Sequence, residues 1–556
     1  MASRIRTRPI GLLVAGLLVA GLLATAPAVA AAPSGPKARF ARAAAFDVSP
    51  SMRALAARAP AVRGRATLPA ERGPAVRDHG YTGDAALQSA ATVTAAAEIP
   101  APSASFEGLS GADNQALLGG IPIPPDPVGD VSPTQYVEMV NLVWAVYSKT
   151  GTRLLGPLSL ATIWAGFAVP DCEDISGDPI VLYDQIADRW ILTQFTTNGP
   201  TYYNCVAVST TPDATGSYFR YAFSTGLNFP DYPKYGVWPN AYFLATREFA
   251  PDDSFAGIGT YALERRKMLV GDPAARVVSF LTPPGSTPWI TGDGWLPSDL
   301  DGNRQPPAGS PNYFVGTQDD DGPYRAPFDA INVFQFQVSW GASPTASFFQ
   351  SAQIRVAEFD SAFPCTPAGS RNCIPQPDTK QKIDILSYRQ RPTWRLAYRN
   401  FGTYESLVTN QSVEARKGIA GARWYELRRP GDHPFVYQQG TYAPDDGVNR
   451  WMGSIAQDRQ GNMALGYSVS NGTTVFPGIR YTGRLAGDPL GQMPQGEGEI
   501  ANGSGSQTDP FARWGDYTSM NLDPDNCTFW YVNEYYRTTS GRGWQTRIAS
   551  IRLPGC

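Results

Sequence analysis

A two-strand phrase recurs along this chain, and it limits the possible folds more than any other feature. Arg450-Trp451-Met452-Gly453-Ser454-Ile455-Ala456-Gln457-Asp458 lies over Arg513-Trp514-Gly515-Asp516-Tyr517-Thr518-Ser519-Met520-Asn521-Leu522-Asp523, each a strand pattern that ends at a turn aspartate. A second strand pattern follows, Met463 to Val469 in one copy and Cys527 to Tyr535 in the other. An earlier copy runs from Gly177-Asp178-Pro179-Ile180 to Asp184, turns through Ala187-Asp188 and returns as Arg189 to Phe195. The repeating unit is a β-hairpin. Looser copies begin near Asp126, Tyr232, Asn312 and Tyr388, which makes seven starts over about 430 residues. A spacing of about 60 residues suits four-stranded blades with long loops. The expected fold is all-β, a single β-propeller of about seven four-stranded blades, with six or eight also open. A β-sandwich is the alternative, although it needs no such run of similar units.

Composition agrees with this class: 55 Gly, 49 Pro and 12% aromatic residues describe a chain that turns often and packs rings between short strands. The formal charge is -3 and the mature region has no basic cluster, so nucleic acid is not an expected partner.

Arg4, Arg6 and Arg8 precede the apolar run Ile10 to Ala24, which ends at the small-residue site Ala28-Val29-Ala30. Residues 1–30 read as a secretory signal peptide. The run is interrupted by glycine and too short to span a bilayer, so no membrane insertion is expected. Residues 31–120 are rich in Ala, Arg and Pro and read as a flexible leader, with the propeller domain over 121–556. The protein is expected to be secreted to the extracellular space and to act as a monomer.

Six cysteines in an exported chain point to three disulfides. Their grouping favours neighbours: Cys172 with Cys205, Cys365 with Cys373, and Cys527 with Cys556, the last tying the chain terminus to the closing strand. Two histidines, His79 and His433, cannot supply a multi-histidine zinc site, and no G-x-S-x-G elbow accompanies His433 for a catalytic triad.

Four phrases carry a family resemblance: Gly177 to Asp184, Asp231-Tyr232-Pro233-Lys234-Tyr235-Gly236-Val237-Trp238, Trp451 to Ala456, and Arg513-Trp514-Gly515-Asp516-Tyr517. Together the chain resembles, over roughly Ile121 to Cys556, a widespread family of exported bacterial propeller-like proteins. The resemblance implies the fold and export but no reaction. More distantly the blades resemble sialidase propellers. Here the S-x-D-x-G-x-x-W box is matched only loosely by Ser454 to Leu465, and no arginine triad can be assigned.

Propeller topology puts the start of a blade's first strand beside the end of its second. Arg513 and Asp516 are therefore expected near Asn533 and Glu534 at one mouth of a central channel, together with Asp126, Asp178, Lys234 and Arg450. Asp178, Asp516 and Glu534 are the candidate acid/base groups. Asp126, Lys234, Arg450 and Arg513 are candidate ligand contacts, with Trp451 and Trp514 as stacking platforms. Asp184, Asp458 and Asp523 fall at the opposite end as turn residues. Asp299, Asp301 and Asn303, and less so Asp319-Asp320-Asp321-Gly322, suggest a structural calcium, although neither segment completes an EF-hand loop. No other cofactor is expected. Two functions fit: a propeller that binds glycans or other extracellular ligands, and a carbohydrate-active hydrolase or lyase that uses the mouth carboxylates.

Overall fold

The computed structural model describes residues 36–58, 80–88, 99–285, 287–385, 390–429 and 433–556. The expected signal peptide, His79 and Tyr388 lie outside the described residues. The fold is all-β, with a few short helices of which Gly111–Leu118 is the longest described.

The strands form antiparallel meanders of four, in chain order. The first runs Val128–Val131, Gln135–Val140, Val143–Ser148 and Arg153–Ser159. The next two begin at Ile180–Asp184 and Phe229–Val237. Those beginning at Leu296–Leu300 and Thr393–Asn400 share an eight-stranded sheet, because these two first strands pair in parallel, Ser298 opposite Leu396 and Leu300 opposite Tyr398. The remaining two begin at Asn449–Gln457 and Ser519–Leu522. Strands such as Gln135–Val140 and Met463–Ser470 are buried along their whole length. Continuous burial of a mixed polar and apolar strand means that both of its faces are covered by neighbouring sheets. Each first strand lies against the first strand of the next meander, and Ser519–Leu522 lies against Val128–Val131, so the series returns to its beginning.

The last meander takes its fourth strand from the other end of the chain: Ala104–Ser110 pairs with Trp544–Arg552, Ala104 opposite Ser550 and Glu107 opposite Arg547. Parts of the stretch read above as a flexible leader are thus strands of the fold. Ala45–Val48 adds a fifth strand beside Tyr218–Gly226, and Arg39–Arg42 does the same beside Arg276–Thr282. Arg220 clamps Asp47 with Nε and Nη2 at 2.7 and 2.6 Å, and the fully buried pair Arg423 and Asp84 meets at 2.9 Å. Such segments carry little pattern of their own, because their pairing surface is the open edge of a sheet formed elsewhere in the chain. Pro36–Cys556 is accordingly one compact unit, and the boundary drawn at residue 121 falls inside it.

One repeat start also moves. Asn312 opens the second strand of its meander, and the first is Leu296–Leu300, whose Asp299 had looked like a loop residue. The disulfides are Cys172–Cys205, Cys365–Cys373 and Cys527–Cys556.

Candidate functional site

The backbone is turned unusually where several first strands begin. Asp126, Asp178, Tyr232 and Met452 have φ of 51, 40, 54 and 49°. Non-glycine residues pay roughly 1–2 kcal/mol for this left-handed conformation, and Asp tolerates it best. The positions recur just before, or early in, the first strands of four meanders, and three of the residues belong to one polar cluster.

That cluster is linked by hydrogen bonds across meanders. Asp126 Oδ1 accepts from Asp516 N at 2.6 Å and its Oδ2 from Asn141 Nδ2 at 2.7 Å. Asn141 Oδ1 accepts from Asp178 N at 2.9 Å. Tyr517 Oη lies 3.2 Å from both Asp178 Oδ2 and the Pro233 carbonyl. Lys234 Nζ sits between two rings, 3.1 Å from the Tyr232 centroid and 3.3 Å from that of Tyr517, a cation–π sandwich. Arg391 covers Tyr232 at 3.9 Å. Arg513 donates to Asp516 Oδ2 at 2.8 Å and lies 3.7 Å from Asp384, which Arg371 holds at 2.6 Å. Gly515 N donates to Glu534 Oε1. The structure therefore brings Asp126, Asp178, Lys234, Arg513, Asp516 and Glu534 together.

Their environments differ. Glu534, Lys234 and Asp126 are buried, whereas Asp178, Asp231 and Arg513 are partly exposed, and the Asp516 side chain keeps 10% of its surface. Burial, and then the charge of Asp516, push Asp126 up to about 7. Burial, followed by Asp126, Asp231 and Asp516, pushes Asp178 well above the ordinary carboxylate range. Glu534 is likewise well above it through burial, although the Gly515 N–H opposes the shift. Lys234 is driven well below its usual value by burial, with Asp178 opposing. Among the described residues, the buried atoms Asp516 Oδ1 and Glu534 Oε2 have no hydrogen-bond partner. Neutral carboxyls beside a carboxylate paired to arginine are a combination that can give and take protons or bind hydroxyl groups.

Three residues expected here lie elsewhere. Arg450 turns to Asp446 and Glu497, both at 2.7 Å. Trp451 and Trp514 are 0 and 1% exposed and pack on each other with centroids 5.7 Å apart. No face of either ring is open to a sugar, because the interior between two meanders takes both. The calcium reading of Asp299 and Asp301 gives way to an ion pair, since Arg395 meets them at 3.0 and 2.6 Å, and Asn303 accepts from Asn526 Nδ2 at 2.9 Å. Asp319, Asp320 and Asp329 each offer an oxygen within 4.8 Å of the others. Asp319 and Asp329 also accept from the backbone N–H groups of Ser361 and Phe359. His433 is exposed.

Sequence reasoning missed Asn141, Asp231, Tyr232, Asp384, Arg391 and Tyr517. Asp231, Tyr232 and Tyr517 stand inside the recurring phrases, so a signal was present. Asp384 and Arg391 belong to no repeated phrase.

No family model and no curated protein matches the chain. Solved structures similar to it include an exo-β-1,3-galactanase from Clostridium thermocellum, 11% identical, covering 69% of this chain and 78% of that one with a TM-score of 0.30. An α-L-arabinanase from Penicillium chrysogenum in complex with arabinobiose is 8% identical, covering 59% and 94% with a TM-score of 0.31. The Dos1 propeller is 10% identical, covering 84% and 96% with a TM-score of 0.31. Likenesses this distant assign no chemistry, which must come from the chain's own residues.

Proposed function

We propose that the meanders are the blades of one seven-bladed β-propeller, closed by Ala104–Ser110, and that the mouth where the first strands begin binds a glycan. The ring of first strands supports the closed propeller. The observation that carries the binding reading is the convergence of partly exposed Asp178, Asp231 and Arg513 from three meanders around buried Asp516, whose side chain keeps 10% of its surface. Carboxylate acceptors and a guanidinium donor on rigid strand ends suit the hydroxyl groups of a sugar. Three disulfides and the signal-like N-terminus support a secreted protein.

A second reading, a glycoside-cleaving enzyme, is favoured by one observation: Glu534 and Asp178 are held toward the neutral form beside Asp516, which is paired to Arg513. A panel of oligosaccharides assayed for both binding and cleavage separates the two. Binding that Asp178→Asn or Asp516→Asn abolishes, without product, supports the first, and product formation lost in Glu534→Gln supports the second. A panel that gives neither with the folded wild type overturns both.

A further inference from the structure

A cavity lies where the first strands end. It has a volume of about 540 Å³ and is lined by Asn303, Arg304, Arg399, Asn400, Arg459 and Asn526. These residues come from four places in the chain: the turn after Leu296–Leu300, the end of Thr393–Asn400, the turn after Asn449–Gln457, and the turn before Thr528–Tyr536.

The asparagines are committed to building the wall. Asn526, at φ 64°, donates to Asn303 Oδ1 at 2.9 Å and accepts at its side-chain oxygen from Arg399 Nη2 at 2.8 Å. Its carbonyl accepts from Arg459 N at 2.9 Å. Asn400 donates to the Gln305 carbonyl at 2.7 Å. Gly302 lets the wall close, since a Cβ there would sit 2.5 Å from Asn526 Oδ1 and 3.2 Å from Arg399 Nη1. The Cys527–Cys556 disulfide is next in sequence to Asn526 and fixes that turn.

The arginines are not committed in the same way. Arg304 and Arg459 are exposed at this cavity, and among the described residues neither has an ion-pair partner. Arg399 is 8% exposed, and its buried Nη1 has no hydrogen-bond partner among the described residues. Of the buried carboxylates that act on Arg399, Asp301 is held by Arg395, and Asp458 accepts from the Gln460 and Asn462 N–H groups. Burial lowers the Arg399 pKa, with Asp301 and Asp458 opposing, so its charge is under-compensated where it stands.

We propose that this cavity is an anion site for a phosphate or sulfate group, which accepts from Arg304, Arg399 Nη1 and Arg459. Guanidinium groups favour oxyanions because their N–H groups form planar forks that match two oxygens at once. The site is local, since the whole chain carries a formal charge of -3. It is also separate from the carboxylate cluster, which lies where first strands begin rather than where they end.

The test is titration calorimetry on the full chain with inorganic phosphate, inorganic sulfate and a monosaccharide sulfate ester, at constant ionic strength set with chloride. The expected result is saturable binding of at least one of the three, weakened about tenfold by Arg304→Ala and again by Arg459→Ala, about 1.4 kcal/mol each. Both side chains are exposed, so the variants should fold as the wild type does, which circular dichroism checks. Arg399→Lys keeps the charge but removes the fork and should also weaken binding. Tighter binding of the ester than of the free ions would identify a sugar-borne group as the ligand. The proposal is overturned by the absence of saturable heat with all three probes, or by equal affinity in the Arg304→Ala/Arg459→Ala double variant and the wild type.

Discussion

The two ends of the first strands hold the same residue type in different surroundings. At the far end Asp184 accepts from Ile186 N and Ala187 N and is held by Arg265 at 2.6 Å. Asp458 accepts from Gln460 N and Asn462 N at 2.8 and 3.0 Å, and Asp523 from Asp525 N and Trp530 Nε1 at 3.0 and 2.9 Å. None of these aspartates, nor Asp299 or Asp301, leaves a buried oxygen without a partner. At the near end Asp516 and Glu534 each leave one, and Asp126, Asp178 and Glu534 are pushed toward the neutral form. An aspartate surrounded by backbone donors caps a turn. One surrounded by other carboxyls is left with acceptor capacity unmet.

The largest effect should come from stripping the far end of its counter-charge. Arg395→Met leaves Asp299 and Asp301 buried without their cation, and breaking such a pair costs about 3–5 kcal/mol. Urea unfolding measures it, and a loss under about 1 kcal/mol would erase the contrast between the ends. Next, reduction of the disulfides removes the Cys527–Cys556 tether on the far-end turn, worth about 2–4 kcal/mol. Replacing both of these cysteines by serine isolates it, and unchanged melting would deny the turn any closing role.

The pH response separates Asp126 from Asp525 by sign. Asp126 titrates at about 7 when folded against about 3.9 when unfolded. The native state therefore binds the extra proton between those values. The contribution is complete below about pH 4 and is lost as pH rises through 7. Asp525 at the far end goes the other way: burial pushes it upward, but the N–H groups of Cys527 and Thr528 outweigh that and hold it below its ordinary value. Its contribution is lost as pH falls. Melting temperatures across pH 4–8 should decline toward pH 8, with a shallower slope in Asp126→Asn. A rising profile contradicts the near-end assignment.

The smallest stability effects carry the functional contrast. Asp458→Asn should cost about 1 kcal/mol through its turn bonds and leave any glycan response intact. Glu534→Gln mimics the neutral carboxyl already favoured in the fold, so its unfolding free energy should stay within about 0.5 kcal/mol of wild type while the response disappears. The reverse pattern would mean that the far end is the working one.

The repeated hairpins were legible because strand alternation, turn aspartates and Trp positions are local signals that need no knowledge of partners. The same phrases placed Asp126, Asp178, Lys234, Arg513, Asp516 and Glu534 near one another, since a strand start and a following strand end are fixed by hairpin geometry. Arg450 shows the limit. Its position in the phrase matches Arg513, yet its side chain found Asp446 and Glu497, and only packing determines which way a long side chain turns. Trp451 and Trp514 were drawn into the interior for the same reason, as aromatic area is best spent between sheets.

By itself, then, the sequence determined the all-β class, the hairpin unit and the disulfide pairing, all of which rest on residues close together in the chain. The tertiary structure alone decided what depends on distant residues meeting. It made strands of Arg39–Arg42, Ala45–Val48 and Ala104–Ser110 by giving them sheet edges. It turned Asp299 and Asp301 from apparent cation ligands into partners of Arg395, 96 and 94 residues away. It also left Asp516 and Glu534 with unspent oxygens, because the donors available to a buried carboxyl are set by every chain segment packed around it.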